Sequence, residues 1–301
     1  MTDDPAEMVT SRELRARGIP ARTQRRLVQR GEWYQVVPGV IACHPVGRLD
    51  FVRASLLRAG PRAALSHRTA AELWLDRELT SVVHVGVPSG VTISGCDGVR
   101  YHQLKHWRPP ARWHGLEVVE PAVAAAQVAA DDEAEADRRA LVTALVQRRL
   151  TTAADVAEVA RFAPRRRFGQ IGRLVEEVLA GAESGPEAAF WRAQVEHRMP
   201  LPTLNHPLAG GARRLDGYLE ALRAGYEVQS REHHAGTWLA DTARMAEIVV
   251  HHAVVLLPIL VPDIDHRLDS LLADLESFWR TRAHDLGVAV PRHVPPTRWR
   301  P

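Results

Sequence analysis

The sequence predicts a mixed α/β protein, α+β overall, divided into more than one domain. Three observations carry this expectation. Residues 9–43 place two short helical runs before two β-type runs around Pro38-Gly39. Residues 44–130 interleave helical periodicity with brief apolar alternation, and the C-terminal part reads helix, strands, helix, strand, helix. Interleaving of this kind makes layers of helix on sheet. A chain of 301 residues ordinarily divides into two or three domains.

In chain order, Ser11 is placed to cap a first helix running to Arg17 and ended by Gly18. The next helix has Pro20 near its start and Gly31 at its stop, the favoured asymmetry. It carries Arg22, Arg25, Arg26 and Arg30 around a Leu27-Val28 core contact. Trp33 to Ala42 then holds the two β-runs, a hairpin or wing. Residues 1–45 thus read as a winged helix-turn-helix whose basic second helix suits the major groove and phosphates of duplex DNA. The plainer alternative is a solvated arginine surface.

Residues 46–130 form a mixed α/β domain. Leu49 to Arg58 and Leu65 to Trp74 are helical, the latter capped at Ser66. Val82 to Val87, Gly98 to Gln103 and Gly115 to Val119 are strands, followed by a helix from Ala122 to Ala130. His67 and Arg68 are assigned to capping and packing. The scattered His84, His102, His106 and His114 match no recognised metal-ligand spacing. Residues 131–182 are an Ala-rich helical connector, with acidic residues from Asp131 to Glu135 at a helix start and Thr151 or Thr152 as a cap.

The last domain spans residues 183–286, before a Pro/Arg-rich tail, extended and mobile, at 287–301. Ser184-Gly-Pro-Glu187 opens a helix to about His197. Two runs then flank Gly225. If the second is a strand, Glu227 and Gln229 share a face, and Asp216 joins them from the neighbouring strand. Carboxylates converging at a sheet end, with His233 and His234 beside them, suit a hard divalent cation such as Mg²⁺ or Mn²⁺. Trp238 to His251 is helical, Ala253 to Val261 a buried strand, and Asp265 to His284 a last helix. Each site residue also has a structural reading. Ser184 and Glu187 make a capping box, Asp216 a turn residue beside Gly217, and Asp241 with Arg244 an exposed helical pair.

Composition narrows the function classes. The formal charge is only +3, and Lys105 is the only lysine among 39 basic residues, so positive charge here is almost all guanidinium. Arginine favours bidentate phosphate recognition and offers no catalytic amine. Cys43 and Cys96 lack metal-type spacing and read as small buried residues. The N-terminus lacks a signal peptide's basic and apolar regions, and the most apolar run is short and broken by Pro258. A cytoplasmic protein with no membrane association is expected.

Taken together, Ser184-x-x-Glu187, Arg214-x-Asp216, Glu227-x-Gln229, His233-His234 and Asp241-x-x-Arg244 resemble the very-short-patch-repair-like branch of the PD-(D/E)XK nuclease fold. The resemblance covers the chain from about residue 183 onward and implies a restriction-endonuclease-like α/β/α domain around a mixed sheet. The front half is similar to AbiEi-type antitoxins, chiefly through GEWYQVVPGVIA at 31–42 and LSHRTAAELW at 65–74. Actinobacterial proteins that join two such halves look like this one. The resemblance implies Asp216 and Glu227 as metal ligands, Glu187 supporting the metal from its helix, and His233 or His234 in proton transfer. Arg214, Asp241 and Arg244 would play supporting roles. Gln229 departs from the pattern, standing where the family's lysine usually is. Glutamine can hydrogen-bond a phosphoryl oxygen but brings no positive charge, and residues 183–301 contain no lysine to replace it.

Two functions follow as expectations. One is a DNA-binding protein whose C-terminal domain is a Mg²⁺- or Mn²⁺-dependent endonuclease. The other is an AbiEi-type regulator, with a toxin or phage-defence partner, whose nuclease fold is inert. A partner-binding scaffold without nucleic acid is the third class.

Overall fold

A short strand, β1 (Met8–Thr10), runs directly into the first helix, α1 (Ser11–Ala16), and Thr10 makes the junction. Its Oγ1 accepts from the Glu13 amide at 3.1 Å, while the Glu13 carboxylate accepts from the Thr10 amide at 2.9 Å. This reciprocal capping box satisfies two helix-end donors, and it moves the cap one residue ahead of Ser11. The computed structural model describes residues 8–163, 165–208, 214–229 and 246–296. They fall into two units, Met1–Asp131 with Ala144–Pro164, and Asp132–Thr143 with Arg165–Pro301. The architecture is mixed α/β, with one antiparallel and two mixed sheets.

In the first unit, α2 (Ala21–Gln29) follows α1, and β2 (Tyr34–Val37) and β3 (Val40–Ala42) form the hairpin. Gly39 turns it at φ +87°, a conformation costly for a residue with a Cβ. β1 pairs with the other side of β3, giving the order β1-β3-β2. Val9, Leu14 and Ile41, with Ile19, Val28 and Trp33 against them, form its small core.

The same unit continues through α3 (Arg48–Ala59), β4 (Ala64–Leu65), α4 (His67–Trp74), β5 (Val83–Pro88), β6 (Val99–Leu104), β7 (Ala111–Trp113), β8 (Leu116–Val118) and α5 (Pro121–Ala129). The five strands pair in the order β6-β5-β4-β8-β7, with β5 and β6 parallel. All six residues of β5 are buried, polar His84 included. Cys43 is exposed, against its expected burial. It follows β3 directly, where the chain leaves the small core.

The expected connector over 131–182 is shared between the units. Within it, α6 (Glu135–Gln147) passes from the second unit into the first, α7 (Ala153–Ala160) belongs to the first, and α8 (Arg165–Ala180) to the second. Thr152 caps α7 through a reciprocal bond with Asp155. In the second unit the buried Arg139 pairs with Glu177 and, at 2.7 Å, with Glu135, while Arg192 also pairs with Glu177.

The second unit then runs α9 (Gly185–Glu196), β9 (Thr203–Pro207), β10 (Arg214–Leu219), a 3-10 turn (Glu220–Leu222), β11 (Ala224–Gln229), α10 (residues 246–252), β12 (Val255–Leu260), α11 (Val261–His266) and α12 (Leu268–Leu286). Its sheet has the order β12-β11-β10-β9, antiparallel except for β11 with β12. Phe190, Tyr226, Ile259, Leu275 and Trp279 centre the main core, where α9, α11 and α12 meet the sheet. Strand alternation puts Leu256 on the other face, clustered with Leu215, Val254 and Ile248 of α10. Helices therefore cover both faces.

Two expectations are corrected here. Among the described residues the apolar run 253–261 is not an interior strand: β12 is at the edge of the sheet, and of its six residues only Ile259 is buried. Pro258 explains the position, because a residue without an N–H is tolerated at a sheet edge and not inside one. The tail is docked at least through residue 293, with Val290 against the core and His293 Nδ1 2.7 Å from the Met199 carbonyl. Among the described residues no helix is long and apolar enough to cross a membrane.

Candidate functional site

Three groups of side chains could carry chemistry or binding. On α2 and its C-cap, the arginines at 22, 25, 26 and 30 are all exposed. Their spacing keeps Arg22, Arg25 and Arg26 within one turn and Arg30 one turn further on. The opposite side is fixed by Gln24, which is 3 % exposed. Its Nε2 donates to the Ser11 carbonyl at 3.2 Å and the Ile19 carbonyl at 2.8 Å, locking α2 to α1. Arg30 sits 3.7 Å from Glu32 with both side chains mostly solvated, a contact worth little. The helix thus presents guanidinium groups outward from a rigidly held backbone.

In the second unit, the β10–β11 ladder ends at Gly217 opposite Tyr226. Beyond that pair Asp216 reaches β11 through its side chain, next to Glu227, and Gln229 stands two residues on from Glu227 and on the same face. Gly217 is required at its position, because a Cβ there would lie 2.3 Å from the Tyr226 ring. That ring is wholly buried, and burial pushes its hydroxyl far above the ordinary tyrosine value. Gln194 of α9 donates to the hydroxyl at 3.0 Å.

The carboxylates themselves are occupied or enclosed. Asp216 Oδ2 accepts from the Val228 amide at 2.6 Å, tying β10 to β11 beyond the last ladder pair. Glu227 is 7 % exposed. Glu187, at the N-terminal turn of α9, accepts from the Glu183 amide at 3.0 Å and from Asn205 Nδ2 at 3.3 Å. Ser184 caps the helix through the Glu187 amide at 3.3 Å, but Glu187 takes the Glu183 amide and not that of Ser184, so only half of the expected capping box forms. Arg214 lies 3.4 Å from Glu183 at the surface. Among the described residues Glu187, Asp216 and Glu227 do not gather their oxygens within 4.8 Å of one another. Two carboxylates are what Mg²⁺ commonly takes, and Asp216 and Glu227 have the right hard donors. Glu187 is not a third member of that set. His233, His234, Asp241 and Arg244 lie outside the described residues.

The third group was not legible in residue spacing. His67, His84 and His102 bring one ligand nitrogen each within 4.8 Å of one another. His84 and His102 stand on the parallel strands β5 and β6, where the register pairs Gly86 with His102 and His84 with Arg100. They share a face, and their Nδ1 and Nε2 are 3.1 Å apart. His67 opens α4 just after β4, and its ring stacks on His102 with centroids 3.8 Å apart. His67 adopts φ +50°, an uncommon conformation outside glycine. Its amide is held by Gln127 Oε1 at 2.9 Å and its Nδ1 lies 3.1 Å from Ser66 Oγ. Burial, with the neighbouring imidazoles, holds His67 well below the ordinary histidine value and takes His102 down to about 4; burial also lowers His84. All three rings are therefore neutral at pH 7. His84, read as the alternating polar position of the strand Val82 to Val87, is buried with the rest of that strand.

No family model matches the chain. It is similar to the uncharacterized proteins MT2308 and Rv2248 of two Mycobacterium tuberculosis strains, CDC 1551 and H37Rv. Each is 28% identical over 243 residues, covering 79% of this chain and 89% of the relative. Among solved structures it is similar to the RV2827C protein of Mycobacterium tuberculosis, at 17% identity and a TM-score of 0.44, over 66% of this chain and 80% of that one.

Proposed function

We propose that this is a cytoplasmic protein that binds duplex DNA through α2, with the β2–β3 hairpin as its wing, as a regulator of AbiEi antitoxin type. The observation that carries the reading is the outward arginine face of α2 on a helix whose inner face is fixed by Gln24. Guanidinium groups held on a rigid element favour phosphate contact, and each phosphate neutralised releases counterions. An antitoxin-type role also calls for a toxin or defence-system partner.

The test is fluorescence anisotropy with duplex DNA across a salt series, in EDTA. Binding should persist without divalent cations and weaken steeply with salt. Replacing Arg22, Arg25 and Arg26 together by Ala should lower affinity more than about tenfold and flatten the salt slope by about two to three. Retention that is insensitive to both salt and these substitutions would leave a scaffold that does not handle nucleic acid.

A second reading is favoured by Asp216 reaching the strand that carries Glu227 and Gln229. It supports a PD-(D/E)XK-like endonuclease in which these two carboxylates hold Mg²⁺ or Mn²⁺. When bound, such a cation supplies Lewis-acid polarisation of a phosphoryl oxygen and a more acidic water. The mixed sheet with helices on both faces supports this reading as well. Supercoiled plasmid should then be nicked by the wild type in Mg²⁺ or Mn²⁺ and left intact by Asp216→Asn and Glu227→Gln. Equal nicking by all three proteins excludes these carboxylates, and no nicking by any leaves the regulator reading alone.

A further inference from the structure

We propose that His67, His84 and His102 form a binding site for a borderline divalent transition metal of the Zn²⁺ class, held by three imidazole nitrogens with a fourth position open to solvent or another ligand. The site is separate from the carboxylate strands and from α2, and it rests on neither functional reading.

Convergence comes first. The three nitrogens come from three different elements, β5, β6 and the start of α4, and lie within 4.8 Å of one another. At a Zn–N distance of about 2.0–2.1 Å, ligands of a tetrahedral site stand about 3.3 Å apart. The His84 Nδ1 to His102 Nε2 separation of 3.1 Å is already close to that. The third nitrogen, from His67, lies within 4.8 Å of both.

Support around the ligands is the next element. Metal-bound histidines usually have their second nitrogen held by an outer partner, which sets the ring's orientation. His67 shows this arrangement, with Nδ1 beside Ser66 Oγ at 3.1 Å, so that Nε2 is left for a ligand. Its backbone is fixed by Gln127, and the His84 amide by Thr69 Oγ1 at 2.9 Å. The left-handed φ of His67 is the kind of local strain that persists where the surroundings fix it.

Charge and donor type complete the case. The Asp131 carboxylate is near enough to act on both His84 and His102 and would offset a cation's charge, against Arg100 beside both rings and Arg68 beside His84. A wholly nitrogen donor set selects against Mg²⁺ and Ca²⁺, which take oxygen, and for Zn²⁺, Ni²⁺, Co²⁺ or Cu²⁺.

The experiment uses the full chain, stripped with EDTA, desalted and titrated with ZnCl₂, CoCl₂ or MgCl₂. One equivalent of Zn²⁺ should remain bound after desalting, Co²⁺ should give the visible absorption of a nitrogen-ligated ion, and Mg²⁺ should not bind at this site. His67→Gln and His102→Gln should each weaken Zn²⁺ at least 100-fold, while a His233→Ala/His234→Ala variant keeps one equivalent. X-ray absorption on that double variant should count three imidazoles, a readout that needs no substitution in the cluster. An apo protein at tenfold excess Zn²⁺, full retention in folded His102→Gln, or fewer than three imidazoles around the ion would each overturn the site and leave a hydrogen-bonded histidine stack.

Discussion

Each unit encloses a group of polar side chains, and the two groups are held differently. In the second unit Arg139, Asp216 and Glu187 are matched by opposite charge or by main-chain donors. Arg139 meets Glu177 and Glu135, Asp216 takes the Val228 amide, and Glu187 takes the Glu183 amide. In the first unit three imidazoles are stacked against one another and kept neutral instead. A carboxylate engaged by its own fold is a poorer free ligand than an imidazole whose nearest neighbours are other imidazoles. The contrast teaches that convergence alone does not make a site: what each donor already touches decides how ready it is.

The contrast can be broken most forcefully in the second unit. Glu177→Ala leaves Arg139, which is 2 % exposed, with only the largely solvated Glu135 as counter-charge, and should cost about 3–5 kcal/mol of stability, because its buried partner is gone. Chemical denaturation reads this directly. A loss below about 1 kcal/mol would show that Arg139 finds water or another partner.

Acid should separate the units next. Folding lowers the affinity of all three imidazoles for protons relative to the unfolded chain, whose histidines titrate near 6.5. Their stabilising contribution is complete above that value and is lost as pH falls from 6.5 toward about 4, where His102 protonates. In metal-free protein the first unit should therefore loosen in this window before the carboxylate pairs of the second do. Hydrogen exchange resolved along the chain measures it; simultaneous loss in both units, or none before pH 4, contradicts the neutral cluster.

A smaller effect sharpens the role of Asp216. If its main work is to hold the Val228 amide, Asp216→Ala should cost about 1–3 kcal/mol, while Asp216→Asn, still an acceptor, should cost less. Equal costs would point away from that hydrogen bond.

How much of this could be seen in the residues follows from sequence distance. The helix and hairpin of the front domain were marked by local punctuation, Pro20, Gly31 and Pro38-Gly39, and α2 and the β2–β3 hairpin formed there. Asp216 and Glu227 were foreseen as neighbours because an antiparallel pair joined by a short turn has predictable register. Glu187 was foreseen on its helix, but nothing local could show that its Oε2 would be taken by the Glu183 amide and Asn205. The histidine cluster depends on a parallel pairing of β5 with β6 and on the two-residue β4. Neither leaves a mark in spacing. The edge position of β12 was misjudged because its apolar run outweighed Pro258, the one residue that specified an edge.

That proline has a bearing on how copies of the chain coexist. An outermost strand offers a row of free amides and carbonyls to any extended segment that drifts past, and β12 adds exposed Val255 and Leu260 to the attraction. Among the described strands Pro258 leaves a gap in that row. This margin is thus a poor template for accretion of further strands, which helps keep a sheet with an apolar rim from growing into aggregates at high concentration.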